Sequence, residues 1–388
     1  MNIKRITSGF KSWGACALIV SLSITLSACE RVDNAQNAAL SAQNSVESAQ
    51  NVVIDEDGTV HIPAFSVPLS TYMSEKAKDV YVQSIRNPEP VIIDQGIEKH
   101  RETHNALFYG PRLEKAETLY PVDIEDTHIG GVHVEIITPK DGISAKNQDR
   151  VLIEVHGGSF MLGAVYGGRL ESMPIASLGK IKVVAVDYRQ GPEHKFPAAS
   201  EDVATVYREL LKDYRPENIG IFGCSGGGVM TAQSTAWIQN EGLPSPGALG
   251  MFCAAAESVS GGDSRFWALP MDVFFSAAPP PPAPNPPPFP MAYFSDVDAR
   301  DPMVAPVFHP EVLAKFPPTL LITGTRSLDL SSVAYTHTQM AKLGVKSYFY
   351  AWEGMWHAFM YDVEVPEAQE AFDVIVKFFD EQLGQQRN

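Results

Sequence analysis

The chain has 388 residues and a formal net charge of −16. That length is large for one simple domain and suits an α/β fold carrying a cap. The acidic surplus argues against a nucleic-acid partner and favours uncharged substrates over polyanions.

At the N-terminus, Lys4, Arg5 and Lys11 flank an apolar stretch over residues 13–27, which is too short for a comfortable membrane span. It ends Leu26-Ser27-Ala28-Cys29, and small residues before a cleavage point mark a signal peptide. Residues 1–28 therefore read as a leader, with an uncleaved signal anchor as the alternative. Cysteine directly after Leu-Ser-Ala resembles the lipobox of bacterial lipoproteins. The resemblance implies a lipid anchor on Cys29 and attachment to the cell envelope. Glu30 after it leans toward the outer membrane in a Gram-negative host. Residues 29–53 are rich in Ala, Asn, Gln and Ser and read as a flexible tether, leaving residues 54–388 as the folded domain.

Within that domain, residues 64–118 are helix-capable and precede any strand, as a cap would. Residues 122–139 read as two strands turning at Gly130-Gly131. Apolar strands follow at 151–155, 182–188, 219–222, 248–254, 319–323 and 347–352. Helical patterns separate them at 170–178, 198–214, 227–240 and 331–343, and a last helix spans 367–383. This alternation predicts the α/β class with a mostly parallel sheet. An insert over residues 258–300 breaks the rhythm. Its run from Pro279 to Pro288 contains eight prolines and forces polyproline II or irregular backbone. It reads as a rigid loop edging the cap; a PxxP ligand is the alternative.

The chemistry concentrates at strand ends. Gly223-Cys224-Ser225-Gly226-Gly227 lies between an apolar strand and a helix, the arrangement of a nucleophile elbow that lifts Ser225 clear of the sheet. The helix N-terminus behind it favours a developing anion. His156-Gly157-Gly158-Ser159-Phe160 follows another strand. Such a glycine-rich turn can aim the N–H groups of Gly157, Gly158 and Ser159, with that of Gly226, at one oxyanion. Without the elbow, each segment would read as an ordinary tight turn.

Together these segments resemble the hormone-sensitive-lipase-like (family IV) bacterial esterases. His-Gly-Gly-Ser-Phe is close to their His-Gly-Gly-Gly motif, with Ser159 in place of the third glycine, a change tolerated if its φ stays negative. The segment from Asp187 to Ala198 (DYRQGPEHKFPA) matches a second signature whose family role is structural, so Glu193 and His194 are not expected to be catalytic. Gly-Cys-Ser-Gly-Gly departs from the usual Gly-Asp-Ser-Ala-Gly, which puts the elbow's buttressing in question. The resemblance implies the α/β-hydrolase fold and ester hydrolysis without metal or organic cofactor. His357, in Gly354-Met355-Trp356-His357, matches the family's histidine loop and is the expected base. His309 and His337 do not sit just past a strand end. The acid is irregular: the family's Gly-X-X-Asp reads Gly324-Thr325-Arg326-Ser327 here, and Asp329 stands two residues further on.

The expectation is a serine carboxylesterase acting on short- to medium-chain acyl esters. Its catalytic residues would be Ser225, His357 and Asp329. An amidase, a lactonase, an acetyl esterase or a non-catalytic binding module of the same fold are the alternatives. No metal site is expected. The oligomeric state cannot be read from the sequence. Cys224 and Cys253 read as buried thiols, with a disulfide as the alternative.

Overall fold

The structure is a computed structural model that describes residues 52–88, 96–257, 261–276 and 292–385. The leader, Cys29, nearly all of the tether and the proline run lie outside the described residues. The chain divides into two compact units, Met1–Pro68 and Leu69–Asn388. In the first, strands β1 (Val53–Ile54) and β2 (Val60–His61) pair as a short antiparallel hairpin.

The second unit is built on an eight-stranded sheet. Its strands are β3 (Val122–Ile129), β4 (Val132–Pro139), β5 (Val151–Val155), β6 (Lys182–Val186), β7 (Ile219–Cys224), β8 (Ala248–Phe252), β9 (Thr319–Gly324) and β10 (Ser347–Trp352). They lie in the order β10-β9-β8-β7-β5-β6-β4-β3. Only the β3–β4 and β4–β6 pairs are antiparallel. Gly130 and Gly131 turn the β3–β4 hairpin with φ of 60° and 85°, the left-handed values that a two-residue turn demands. Every residue of β5, β7, β8 and β9 is buried. Strands covered on both faces read as mostly apolar runs, and these do, with Glu154 of β5 as the buried acid among them.

Helices cover both faces of the sheet. Ahead of the sheet come α1 (Glu75–Arg86), α2 (Ile97–His104), a π-helical turn (Asn105–Tyr109) and α3 (Gly110–Leu119). Then come α4 (Tyr166–Gly179), α5 (Ala198–Leu210), α6 (Gly226–Asn240), α7 (Leu330–Lys342) and α8 (Pro366–Gln382). In α8, Ala371, Phe372, Ile375, Phe378 and Phe379 are buried, a helix-spaced stripe, and the Phe379 ring meets Phe222 of β7 at 6.0 Å. Ser74 caps α1 by accepting from Ala77 N, and its own N–H and hydroxyl donate to Glu367 of α8. The parallel strands β5, β7, β9 and β10 all end on the same edge of the sheet. The segments that leave them carry the residues described next, as expected for open α/β sheets.

Candidate active site

Ser225 joins β7 to α6 with φ 56° and ψ −124°. A non-glycine residue held there is strained by roughly 1–3 kcal/mol. The surroundings enforce it. A Cβ on Gly223 would lie 2.1 Å from the carbonyl oxygen of Val155, and one on Gly227 only 1.8 Å from the same atom. Both positions must therefore be glycine for β5 and α6 to pack against the elbow.

His357 arrives on the loop after β10. Its Nε2 is 2.8 Å from Ser225 Oγ, and its Nδ1 is 2.6 Å from Asp329 Oδ2. A carboxylate can only accept, so Nδ1 carries the hydrogen and Nε2 faces the serine as acceptor. The side chains of His357 and Asp329 are 8 % and 1 % exposed. Asp329 lies just before α7 and also accepts from the hydroxyls of Thr323 and Ser327, the latter at 2.6 Å. Ser327, at the family's usual acid position, thus donates to Asp329, two residues further along. Burial lowers the basicity of His357, but the hydrogen bond and charge of Asp329 outweigh it and hold its pKa up at about 9.

A second buried carboxylate faces the same histidine. Asp272 Oδ2 accepts from the backbone N–H of His357 at 3.2 Å and of Leu328 at 3.4 Å, and Oδ1 accepts from Phe274 N at 3.0 Å. Burial pushes its pKa up to about 6. Nearby, Phe275 sets its ring against the imidazole, with centroids 5.1 Å apart and planes at 71°.

The loop after β5 differs from expectation in two respects. The N–H of Gly157 does not face Ser225; it donates to Glu171 Oε1 at 2.8 Å. The N–H groups of Gly158, Ser159 and Gly226 have no acceptor among the described residues. Ser159 N would lie 3.2 Å from a Cβ built on Gly226, which sets the Ser159 donor beside the elbow. Ser159 takes φ 53° and Phe160 φ 61°, not the negative φ anticipated for the serine. The loop turns through the left-handed region, costing serine roughly 1–2 kcal/mol per residue relative to glycine.

Glu171, on α4, was not legible as part of this site. Its Oε1 accepts from Gly157 N and from Tyr361 Oη at 2.6 Å, and its Oε2 accepts from Cys224 N at 2.8 Å. Cys224 and Cys253 are free buried thiols, so the disulfide alternative fails. Cys253 Sγ accepts from Ala358 N at 3.1 Å, next to the histidine. The Asp187–Ala198 segment serves packing. Tyr188 Oη donates to the His156 carbonyl, the Tyr188 and His156 rings stack at 4.4 Å, and Arg189 pairs with Asp202. Glu193 pairs with Arg101, His309 bonds the Arg300 carbonyl and His337 bonds Ser347, all in contacts separate from Ser225. Among the described residues no cluster of three or more His, Cys, Asp or Glu is placed to hold a metal ion.

The chain is similar to several known proteins. An esterase from Acinetobacter venetianus is 26 % identical over 275 residues, covering 69 % of this chain and 86 % of its own. An acetyl-hydrolase from Streptomyces hygroscopicus is 26 % identical over 309 residues, covering 77 % and 98 %. A crystallised esterase superposes with a TM-score of 0.70 at 28 % identity, over 84 % of this chain and 99 % of that one. An esterase of the bacterial hormone-sensitive lipase family shares the fold with a TM-score of 0.66 at 24 % identity, over 80 % and 99 %. Residues 152–361, more than half of the chain, match the alpha/beta hydrolase fold family, and the chain belongs to it.

Proposed function

We propose that this carboxylic ester hydrolase is a serine esterase that works through an acyl-enzyme, with Ser225 as nucleophile, His357 as base and Asp329 as the orienting acid. The observation that carries the reading is the unbroken hydrogen-bond chain from Ser225 Oγ through the imidazole to Asp329. Ser225 Oγ adds to the ester carbonyl carbon as its proton passes to His357 Nε2. The carbonyl oxygen becomes an anion facing the N–H groups of Gly158, Ser159 and Gly226. The tetrahedral adduct then expels the alcohol, whose oxygen takes the proton from His357. Water attacks the acyl-enzyme, giving its proton to His357. The second adduct collapses to free acid and restores the Ser225 hydroxyl.

The acyl group is short to medium in length. The Streptomyces hygroscopicus relative named as an acetyl-hydrolase supports the short end. So does the crowding around the triad, where Phe275 stands against the imidazole and α1 is tied to the same segment by Tyr81 Oη donating to the Met271 carbonyl at 2.8 Å. Residues 64–118 and 258–300 act as the cap in this reading. The enzyme is held at the cell envelope by lipid on Cys29, a reading that rests on Leu26-Ser27-Ala28-Cys29 alone.

Hydrolysis of a p-nitrophenyl acyl series by the wild type and Ser225→Ala tests the assignment. Turnover of the short esters that disappears in Ser225→Ala is the expected result. Equal turnover by the variant would overturn the serine mechanism. A matched ester and amide pair separates the esterase from an amidase with the same residues.

A further inference from the structure

Two elements must be held in register for this site to work. The loop after β5 supplies two of the oxyanion donors, and the elbow supplies the nucleophile and the third. Glu171 is the side chain that bonds to both. One oxygen takes the N–H of Gly157, the residue before the donors Gly158 and Ser159, and the other takes the N–H of Cys224, the residue before the nucleophile. The two arms are in close contact there, since a Cβ on Gly157 would lie 3.3 Å from Ser225 Cβ and 2.7 Å from the Cys224 carbonyl oxygen. Tyr361 adds a third donor to Glu171 from the segment that follows the histidine.

The chemistry of this junction calls for a carboxylate. Two backbone N–H groups on different elements point at one buried side chain, and only a carboxylate offers an acceptor oxygen to each with no competing donor. Behind it lies Glu154 of β5, fully buried in a strand of valine, leucine and isoleucine. Neither oxygen of Glu154 has a donor to accept from, yet its carboxyl is in hydrogen-bond contact with Glu171. Burial, then the charge of Glu171, raises the Glu154 pKa well above its ordinary value, which makes Glu154 the neutral member of the pair.

We propose that Glu171 is a positioning residue of this esterase: it fixes the spacing between the oxyanion loop and the nucleophile elbow, with Glu154 as its buttress. Glu171 touches no reacting atom in this scheme. It acts through the backbone of Gly157 and Cys224, and the proposal rests on Ser225 being the nucleophile.

The experiment compares wild type, Ser225→Ala, Glu171→Gln, Glu154→Gln and Tyr361→Phe in the full chain. It reads kcat and KM on a p-nitrophenyl ester, the melting temperature, and the affinity for a trifluoromethyl ketone that mimics the ester. That ketone traps the adduct: Ser225 Oγ bonds its carbonyl carbon, the proton passes to His357 and the ketone oxygen becomes the anion. Glu171→Gln turns an N–H2 toward one of the two backbone donors and lets one arm drift. Its kcat is expected to fall about 10²-fold with KM within about threefold, because small misplacements act on the transition state. Ketone affinity should fall in parallel with kcat/KM. Glu154→Gln can still donate to Glu171 and should stay within about threefold of wild type. Tyr361→Phe removes the hydroxyl donor to Glu171 and should lose about fivefold in kcat. It carries the test if Glu171→Gln does not fold. A folded Glu171→Gln with a lower melting temperature but wild-type kcat and ketone affinity would overturn the proposal, as would an unchanged Tyr361→Phe if only that variant folds. An active Ser225→Ala would instead overturn the serine mechanism beneath it.

Discussion

Replacing Asp329 by asparagine removes one charge and keeps the side chain's shape. Asp329 is buried, accepts from three side chains and is the main influence raising the basicity of His357. The rise from 6.5 to about 9 corresponds to about 3 kcal/mol favouring the imidazolium, the species formed when Ser225 gives up its proton. With asparagine in place, burial remains and is opposed only by the weaker influence of Cys253 and Asp272, so the histidine pKa falls. Two consequences are measurable in initial rates on a p-nitrophenyl ester, corrected for alkaline background. Turnover should drop by about four orders of magnitude, because the imidazole loses both its tautomer and its counter-charge. The acidic limb of kcat/KM, which reports the free enzyme's base, should sit near 9 in the wild type and move to lower pH in the variant. The same pair links to stability. Because the folded pKa lies above the unfolded one, the contribution is complete below pH 6.5 and is lost as pH rises through about 9. An Asp329→Asn enzyme that retains turnover within about tenfold of wild type, with its acidic limb in place, would refute the assignment.

The neighbouring residues give graded versions of the same test. Asp272→Asn removes a second buried negative charge that also raises the histidine, so the acidic limb should move down by less than in Asp329→Asn; a limb that stays put or moves up contradicts the reading. Ser327→Ala deletes one donor to Asp329 and should cost about fivefold in kcat, measured at saturating substrate. Gly227→Ala places a methyl 1.8 Å from the Val155 carbonyl and should destabilise the fold by about 3 kcal/mol in urea titration. A midpoint matching wild type would show that the elbow packs more loosely than described.

Much of this architecture is written in local pattern. Strands such as Val151–Val155 and Thr319–Gly324 are buried on both faces and so appear as short, mostly apolar runs. The elbow and the histidine announce themselves because each needs particular residues at a strand end. The acid was legible only by chain order, since the hydrogen bond that lets Ser327 support Asp329 depends on loop geometry. Gly157 was misread for a related reason: which way an N–H points follows from dihedral angles, and residue type does not reveal it. Asp272 meets His357 across 85 positions from a segment without periodicity, so no local pattern marks it. Glu154 did leave a sign, a lone acid in an apolar strand, and that sign leads to Glu171. The π-helical turn at Asn105–Tyr109 interrupts the 3.6-residue period, which left residues 64–118 readable as helical and no further.

The contact between Ser327 and Asp329 also constrains how such a site can change over generations. The two side chains are 2.6 Å apart and share the same buried space beside His357. A chain with carboxylates at both positions would set two like charges in contact without water, and one of them would have to take up a proton. A lineage that moves its acid between these positions therefore meets its barrier at the doubled state. A hydroxyl at one position and a carboxylate at the other avoids it, which makes the serine here a constraint on ancestry as well as a hydrogen-bond donor.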